Sequence, residues 1–179
     1  MKQAVQILLL AGLTMACLCG CRSTYYAAYE KFGVHKRDLL KKRVVAARDE
    51  QQAASEQFKD ALARLKEMTG FDGGKLEKGY TDLKTEYDDC ARRADKVRDR
   101  IKDVETVAAD LFAEWDKELG QISTPSLQEA SRKQLRDTRE RYEGLRTALR
   151  KAEQSMTPVL TQFRDYVLFL KHNLNAQAV

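Results

Sequence analysis

Residues 76–115 have the sequence LEKGYTDLKTEYDDCARRADKVRDRIKDVETVAADLFAEW, the clearest helical pattern in the chain. Apolar or small residues recur there at alternating steps of four and three. This 3.5-residue period is typical of a helix that packs along one stripe against other helices. The pattern predicts a single long helix over about 75–119. Its repeating positions are Leu76, Tyr80, Leu83, Tyr87, Cys90, Ala94, Val97, Ile101, Val104, Ala108, Leu111 and Trp115.

The same spacing occurs on both sides of this segment and predicts two further helices, over about 25–69 and 126–175. In the first helix the repeat falls on Leu40, Val44, Ala47, Gln51, Ala54, Phe58, Ala61, Leu65 and Met68. In the third helix it falls on Leu135, Thr138, Tyr142, Leu145, Leu149, Ala152, Met156, Val159, Phe163, Tyr166 and Leu170.

Two short interruptions separate the helices. Residues 70–74, GFDGG, tolerate positive φ angles, and residues 120–125 end in a proline suited to a first helical turn. The third helix therefore begins after a cap at either Thr124 or Ser126. Short turns make neighbouring helices antiparallel, so we expect an all-α, up-down-up three-helix coiled-coil bundle. Pro158 lies inside the third helix and should kink or break it. Whether this position also acts as a hinge is not decided by the sequence.

Composition supports long helices and argues against two classes of protein. The 179 residues include only two prolines and nine glycines, and 33% of them are charged. Acidic and basic residues are interspersed, whereas a nucleic-acid binder concentrates positive charge on one face. We expect no nucleic-acid partner. We also expect no strand-rich fold.

The amino terminus has the features of a bacterial lipoprotein signal. Lys2 precedes an apolar run over residues 7–16, which is too short for a good membrane span. The sequence Leu18-Cys19-Gly20-Cys21 resembles a lipobox, in which the final cysteine is acylated before cleavage. We therefore predict a signal peptide at residues 1–20, a lipid on Cys21 and one mature domain over residues 21–179.

The segment Thr14-Met15-Ala16-Cys17 is a poorer lipobox and leaves Cys17 as the alternative site. By analogy with sorting signals, Arg22 after the lipidated cysteine favours the periplasmic side of the outer membrane. Aspartate at that position would indicate retention at the inner membrane. The predicted location is therefore the outer membrane, with the inner membrane as the alternative.

No motif in the chain predicts catalysis, a metal site or a cofactor. Glycine-rich phosphate loops, nucleophile elbows and paired His/Glu zinc motifs are absent from the sequence. Cys90 would be the one thiol in the mature chain besides Cys21, and its core position predicts inert packing. We expect a non-enzyme without cofactors. A hydrolase that depends on His35 or His172 is a remote alternative.

The end of the third helix is the predicted interaction surface. Residues 167–170, VLFL, are apolar all round, whereas a helix in a bundle of three needs only one apolar side. Either the segment packs on the glycine-rich turn or it binds a partner. The predicted surface comprises Phe71, Asp72, Phe169, Lys171, His172 and Asn173.

The functional hypothesis is a membrane-tethered adaptor that binds an envelope protein through this surface. The alternative is a lipid-handling or membrane-active protein in which the apolar helix swings out at Pro158 and inserts. The same heptads can also pair with another copy of the chain, so homo-oligomers remain open.

Several short motifs also resemble a bacterial family of predicted coiled-coil lipoproteins, domain of unknown function 2959. The resemblance covers nearly the whole mature chain and implies no activity, substrate or catalytic residue. The motifs are Tyr25-Tyr26 with Glu30-Lys31, Val34-His35-Lys36-Arg37-Asp38, Phe71-Asp72-Gly73-Gly74, Leu111-Phe112 with Glu114-Trp115, Leu135-Arg136-Asp137-Thr138, and the end from Pro158 to Leu170-Lys171-His172-Asn173-Leu174-Asn175-Ala176.

Overall fold

A computed structural model of the chain describes residues 25, 26, 29, 33–67 and 75–177. Four α-helices have described bounds: α1 (Lys36–Glu67), α2 (Lys75–Leu119), α3 (Pro125–Gln154) and α4 (Met156–Gln177). Residues 25, 26 and 29 are also helical, and no described residue lies in a strand. The predicted all-α class is confirmed for this part of the chain. By contacts the chain divides into two units, one ending at Lys41 and the other beginning at Lys42.

The helix predicted to run from about 25 to 69 is not continuous, because the chain bends at Gly33. Gly33 has φ +74°, and the Val34 N–H donates to the Tyr29 carbonyl at 3.0 Å. A left-handed glycine bridged by such a bond is a standard way to end a helix. The 3.5-residue repeat begins only at Leu40, so it gave no warning of the bend.

The residues after Gly33 start α1. The His35 carbonyl accepts the N–H groups of Asp38 and Leu39 at 2.9 and 3.0 Å. In return, Asp38 Oδ2 accepts the backbone N–H of His35 at 3.3 Å. The bond from the His35 N–H to the Asp38 carboxylate is one half of a capping box, in which the third residue of the helix pairs the backbone N–H of the N-cap residue.

Helix α2 carries most of the core in the second unit. Val97, Ile101 and Val104 are buried, as the heptad pattern predicts. Near the end of α2 the buried stripe shifts: Phe112 is buried, whereas Leu111 is half-buried. A straight helix has 3.6 residues per turn and drifts by about 20° per heptad, which accounts for a shift of one position.

Side-chain contacts between α1 and α2 run antiparallel. Arg43 Nη1 lies 3.1 Å from Asp103 Oδ2, and Arg93 Nη1 lies 2.7 Å from Glu50 Oε1. Arg64 also pairs with Glu86. As the residue number rises along α1, that of its partner falls along α2.

Helix α3 is also antiparallel to α2 and runs in the same direction as α1. Trp115 Nε1–H donates to Ser131 Oγ at 2.9 Å, and Arg98 Nε–H donates to Glu153 Oε1 at 2.8 Å. Between α1 and α3, the Gln51 side-chain amide donates to the Leu149 carbonyl at 3.0 Å.

The connection between α2 and α3 settles where the third predicted helix starts. Thr124 is the N-cap residue and Pro125 is the first residue of α3, where the missing N–H costs nothing. The Gln128 side-chain amide donates to the Leu119 carbonyl at 3.1 Å. This bond ties the start of α3 to the end of α2.

The third predicted helix is divided at Ser155, three residues before Pro158. Pro158 has no N–H to donate to the Gln154 carbonyl, and its ring crowds that oxygen. The Ser155 N–H bonds the Lys151 carbonyl at 3.1 Å, and its hydroxyl donates to the Ala152 carbonyl at 2.7 Å. The predicted break is therefore present, and α4 begins with Pro158 in its first turn.

Around this break the buried stripe leaves the predicted heptad. Glu153 is buried where Ala152 was predicted, and Val167 is buried where Tyr166 was predicted. Ala152 and Tyr166 are both exposed. These two core assignments were wrong, because a 3.5-residue count cannot follow the stripe through an interrupted helix.

Candidate functional site

Helix α4 has one packed side and one exposed apolar side. Phe163, Val167 and Leu170 are buried and follow the four-three spacing of a packing stripe. The side chains of Tyr166, Leu168 and Phe169 are 47%, 43% and 60% exposed. Three large apolar side chains within four residues form a patch of the kind that marks interaction sites.

The structure places four of the predicted surface residues on α4. Phe169, Lys171 and His172 are exposed, and Asn173 is half-buried. Phe169 and Asn173 are four residues apart, and Tyr166 lies three residues before Phe169, so these three share one face of the helix.

Leu168 and His172 share a second face of α4, again by a four-residue step. The patch therefore covers two adjoining strips of the exposed surface. Phe71 and Asp72, also predicted for this surface, lie outside the described residues, as does the predicted lipidation site Cys21.

Sequence analysis missed two members of the patch. Tyr166 was assigned to the core by the heptad count, and Leu168 was not singled out. The run of four apolar residues over 167–170 did point to Leu168, because two of its members must face outward on a helix whose stripe is filled by the other two. It gave no signal for Tyr166, which lies outside the run.

A groove lies between α1 and the α3–α4 break. Its volume is about 290 Å³. Most of its lining is apolar, and Ser55, Lys59, Ser155 and Gln51 are its polar members. A concave apolar site with few polar groups is typical of small-ligand binding, and this volume is at the low end of the usual range. The apolar lining comprises Ala54, Phe58, Leu62, Ala152, Met156 and Val159.

Ion pairs hold the end of α3 against α2. Glu153 is buried and accepts from Arg98, whose pKa is raised first by that hydrogen bond. One turn earlier, Arg150 donates to both oxygens of Glu105, at 2.9 and 2.5 Å. The pKa of Arg150 is also raised, chiefly by this bond. These charges therefore have structural partners.

Cys90 is enclosed in the core, and burial raises the pKa of its thiol to about 11. A thiol with that pKa is almost fully protonated near neutral pH and is a poor nucleophile. The described residues contain no group of three His, Cys, Asp or Glu side chains arranged to hold a metal ion. Among these helices, none is both long enough and apolar enough to cross a membrane.

A family model described as a protein of unknown function, DUF2959, matches residues 25–179. The chain belongs to this family. No curated protein and no solved structure matches it. The match spans all four helices of this DUF2959 protein and includes the α4 patch and the groove.

Three of the motifs that suggested the family have structural roles among the described residues of this DUF2959 protein. The segment from Val34 to Asp38 forms the start of α1. Phe112 packs edge-on against Tyr142, with ring centroids 5.4 Å apart, and Arg139 lies over the Phe112 ring at 5.4 Å. Pro158 follows the break between α3 and α4. These motifs shape helix ends and contacts.

Proposed function

We propose that this protein is a lipid-tethered, periplasmic adaptor of the bacterial cell envelope and that the exposed apolar face of α4 binds another envelope protein. In this proposal, Cys21 carries the lipid, the outer membrane is the attachment site, and the helical bundle has no catalytic activity. The single observation that carries the proposal is the patch formed by Tyr166, Leu168 and Phe169.

The patch supports binding because it is unlike the rest of the exposed surface in the second unit. Half of the exposed residues on α3 are charged, and several of them form pairs such as Arg132–Glu129 and Arg146–Glu143. Exposed ion pairs are stabilised by water. The transfer of tyrosine, leucine and phenylalanine side chains out of water, in contrast, lowers the free energy. Aromatic side chains are also enriched at the centres of protein interfaces.

A matched pair of substitutions tests the binding surface. Phe169 and Leu127 are 60% and 61% exposed, but Leu127 lies in the first turn of α3. Native complexes would be extracted from membranes in mild detergent and sized for the wild type, Phe169→Ser and Leu127→Ser. We expect Phe169→Ser to release the protein from a larger complex, with Leu127→Ser unchanged. Identical profiles for all three would refute the surface.

The tether is tested by the intact mass of the native protein and by cell fractionation of Cys21→Ala. We expect an acylated chain that begins at Cys21 and sediments with membranes, and a variant that is neither acylated nor processed at that site. A native mass without acyl chains, or one that places the lipid on Cys17, would overturn this assignment.

The groove favours a second candidate function, lipid handling. An apolar lining that surrounds about 290 Å³ is chemically suited to part of an acyl chain. Lys59 lies at this lining and would attract an anionic headgroup. In this version the protein removes or carries lipid at the membrane surface.

Lipid extraction from vesicles separates the two candidates. Ala152→Phe introduces a ring into the groove, and Ala130→Phe places the same ring on an exposed part of α3. If lipid handling is the function, wild type and Ala130→Phe extract labelled lipid, whereas Ala152→Phe does not. Equal amounts extracted by both variants, or none by the wild type, would leave the adaptor as the only candidate.

A further inference from the structure

The unit that ends at Lys41 has an aromatic cluster beside the start of α1. Tyr25 and Tyr29 are 39% and 37% exposed, and their ring centroids are 4.8 Å apart. The Tyr25 ring also meets the buried Tyr26 ring edge-on at 5.4 Å. Two of the three rings thus present a surface to solvent.

A cation from the first turn of α1 joins this cluster. Lys36 Nζ lies 4.8 Å from the centroid of the Tyr26 ring, within the range of a cation–π contact. The bend at Gly33 places the first turn of α1 next to the tyrosines, since the Val34 N–H donates to the Tyr29 carbonyl at 3.0 Å. Aromatic rings and positive charge are therefore held side by side.

Positive charge is concentrated at this point of the chain. Residues 36–43 contain five lysines and arginines and a single acid, Asp38, whereas the net charge of the whole chain is +5. Within the first unit, Arg37 and Lys41 are exposed and lie one helical turn apart. We name Tyr25, Tyr29, Lys36, Arg37 and Lys41 the tyrosine–lysine surface.

Chain length places this surface close to the proposed lipid. Only three residues lie between Cys21 and Tyr25, and an extended chain spans at most about 3.6 Å for each of the four steps, so the two Cα atoms are within about 14 Å of each other. That upper limit is about twice the thickness of one headgroup layer, which is about 5–7 Å, so a chain tethered at Cys21 keeps Tyr25 within reach of the headgroups. Tyrosine is enriched at this depth because its ring is apolar and its hydroxyl is polar.

We propose that the tyrosine–lysine surface binds the headgroup region of a membrane that contains anionic phospholipid. Tyr25 and Tyr29 lie at headgroup level, and Lys36, Arg37 and Lys41 contact phosphate groups. This inference rests on the proposed tether at Cys21. It adds a second, electrostatic attachment, which sets the direction in which the bundle extends from the membrane. A cation near an anionic surface contributes enough to change binding by about fivefold.

Residue-resolved lysine labelling tests this proposal on the native protein. The acylated protein is reconstituted into vesicles of phosphatidylcholine alone or with about 30% phosphatidylglycerol, a composition chosen to give a strongly anionic surface. A water-soluble acylating reagent is added, and the labelling rate of each lysine is measured by mass spectrometry. We expect Lys36 and Lys41 to react about fivefold more slowly on anionic vesicles. Lys102 and Lys133, which are exposed on α2 and α3, are the internal controls.

Salt and inorganic phosphate identify what protects the lysines. At about 1 M salt the Debye length falls to about 3 Å, so the protection should disappear. Inorganic phosphate added to phosphatidylcholine vesicles should not protect Lys36 or Lys41 from labelling. Equal rates at Lys36 and Lys41 on both membranes would overturn the proposal. Protection by inorganic phosphate alone would also overturn it, because it would indicate a site for soluble anions.

A tyrosine variant tests the aromatic part of the surface. We expect Tyr25→Ser/Tyr29→Ser to bring labelling of Lys36 and Lys41 on anionic vesicles towards the phosphatidylcholine value. Leu127→Ser, which removes an exposed apolar side chain from α3, should leave it unchanged. Equal effects of the two variants would contradict a role for Tyr25 and Tyr29.

Failure of the tether is distinguishable from failure of this surface. If the native mass shows no acyl chain on Cys21, the isolated full chain is mixed with the same vesicles and labelled again. Protection of Lys36 and Lys41 on anionic vesicles alone would then support the surface without the tether. Absence of protection would refute both.

Discussion

Helices α3 and α4 follow one another with a single residue between them, yet their surfaces differ. On α3 the buried positions are Leu135, Leu149 and Glu153, and the exposed surface is rich in paired charges. On α4 a buried stripe is accompanied by exposed tyrosine, leucine and phenylalanine side chains. Both helices pack against α2, but only α4 leaves a continuous apolar patch in contact with water.

The difference separates two kinds of hydrophobic residue that sequence patterns treat alike. Phe163 and Phe169 lie on the same helix six residues apart, and their exposed fractions are 1% and 60%. Burial of the first stabilises the fold. The second side chain contributes little to folding because it is largely exposed, and its burial against a partner would favour binding. Their substitutions should therefore affect different measurements.

The largest effect on stability is expected for Phe163→Ala. Phenylalanine to alanine in a core removes buried contacts and leaves a cavity, which typically costs about 3–5 kcal/mol. Leu149→Ala on α3 should cost about 2–5 kcal/mol for the same reason. Urea denaturation measures both. A loss below about 1 kcal/mol for Phe163→Ala would mean that α4 is not part of the core.

A smaller loss is expected when the buried ion pair at the end of α3 is broken. Arg98→Met leaves the Glu153 carboxylate without its guanidinium, although 41% exposure of the Arg98 side chain allows water to compensate. We therefore expect the free energy of unfolding to fall by about 1–2 kcal/mol, which is less than the usual loss when a fully buried ion pair is broken.

Arg146→Met is the matched control, because the pair between Arg146 and Glu143 is exposed. For this variant we expect no measurable change in the free energy of unfolding. Equal losses for the Arg98 and Arg146 variants would show that burial of Glu153 adds nothing to the stability of α3.

Pro158→Ala tests the boundary between the two helices. The restored N–H can bond the Gln154 carbonyl, which contributes about 1 kcal/mol. Without the proline, the unfolded chain has more conformational freedom. This lowers the free energy of unfolding by about 0.4–1 kcal/mol and offsets the gain from the hydrogen bond. We therefore expect little change in unfolding free energy but slower amide hydrogen exchange around Ser155. Thr157→Ala is the control, and equal exchange in both variants would show that Pro158 does not cause the break.

The smallest effect on stability is expected for Phe169→Ser. The side chain is largely exposed, so the free energy of unfolding should change by no more than about 0.5 kcal/mol. Leu127→Ser should behave in the same way. A loss of about 2 kcal/mol for Phe169→Ser alone would indicate that the ring packs within the fold and would remove it from the binding surface.

The sequence predicted the helices better than it predicted their faces. The buried stripe of Val97, Ile101 and Val104 follows directly from heptad spacing, and Pro158 correctly predicted the break before α4. The bend at Gly33 was missed, because the 3.5-residue repeat begins only at Leu40 and therefore does not cover residues 33–35. Tyr166 was placed in the core, because small deviations from 3.5 residues per turn decide which of two adjacent apolar residues is buried.

The candidate site could be predicted only in part. The run VLFL required two outward-facing apolar residues, and Leu168 and Phe169 are the two that are exposed; that Phe169 binds a partner stays a prediction. The groove was not predicted, because its lining comes from α1 and from both sides of the α3–α4 break. Which side chains from distant segments meet at a break depends on how the helices pack, and periodicity within each helix does not contain that information.

Site-specific photo-crosslinking in intact cells would test most directly whether α4 binds an envelope protein. A photoreactive residue at Phe169 should give one discrete adduct with another membrane-associated protein, and Tyr166→Ser should abolish it. The same residue at Leu127 should give none. Failure to form an adduct at Phe169, or the same adducts at both positions, would contradict the proposed binding surface. An adduct of twice the mass of the chain would assign the surface to a second copy instead.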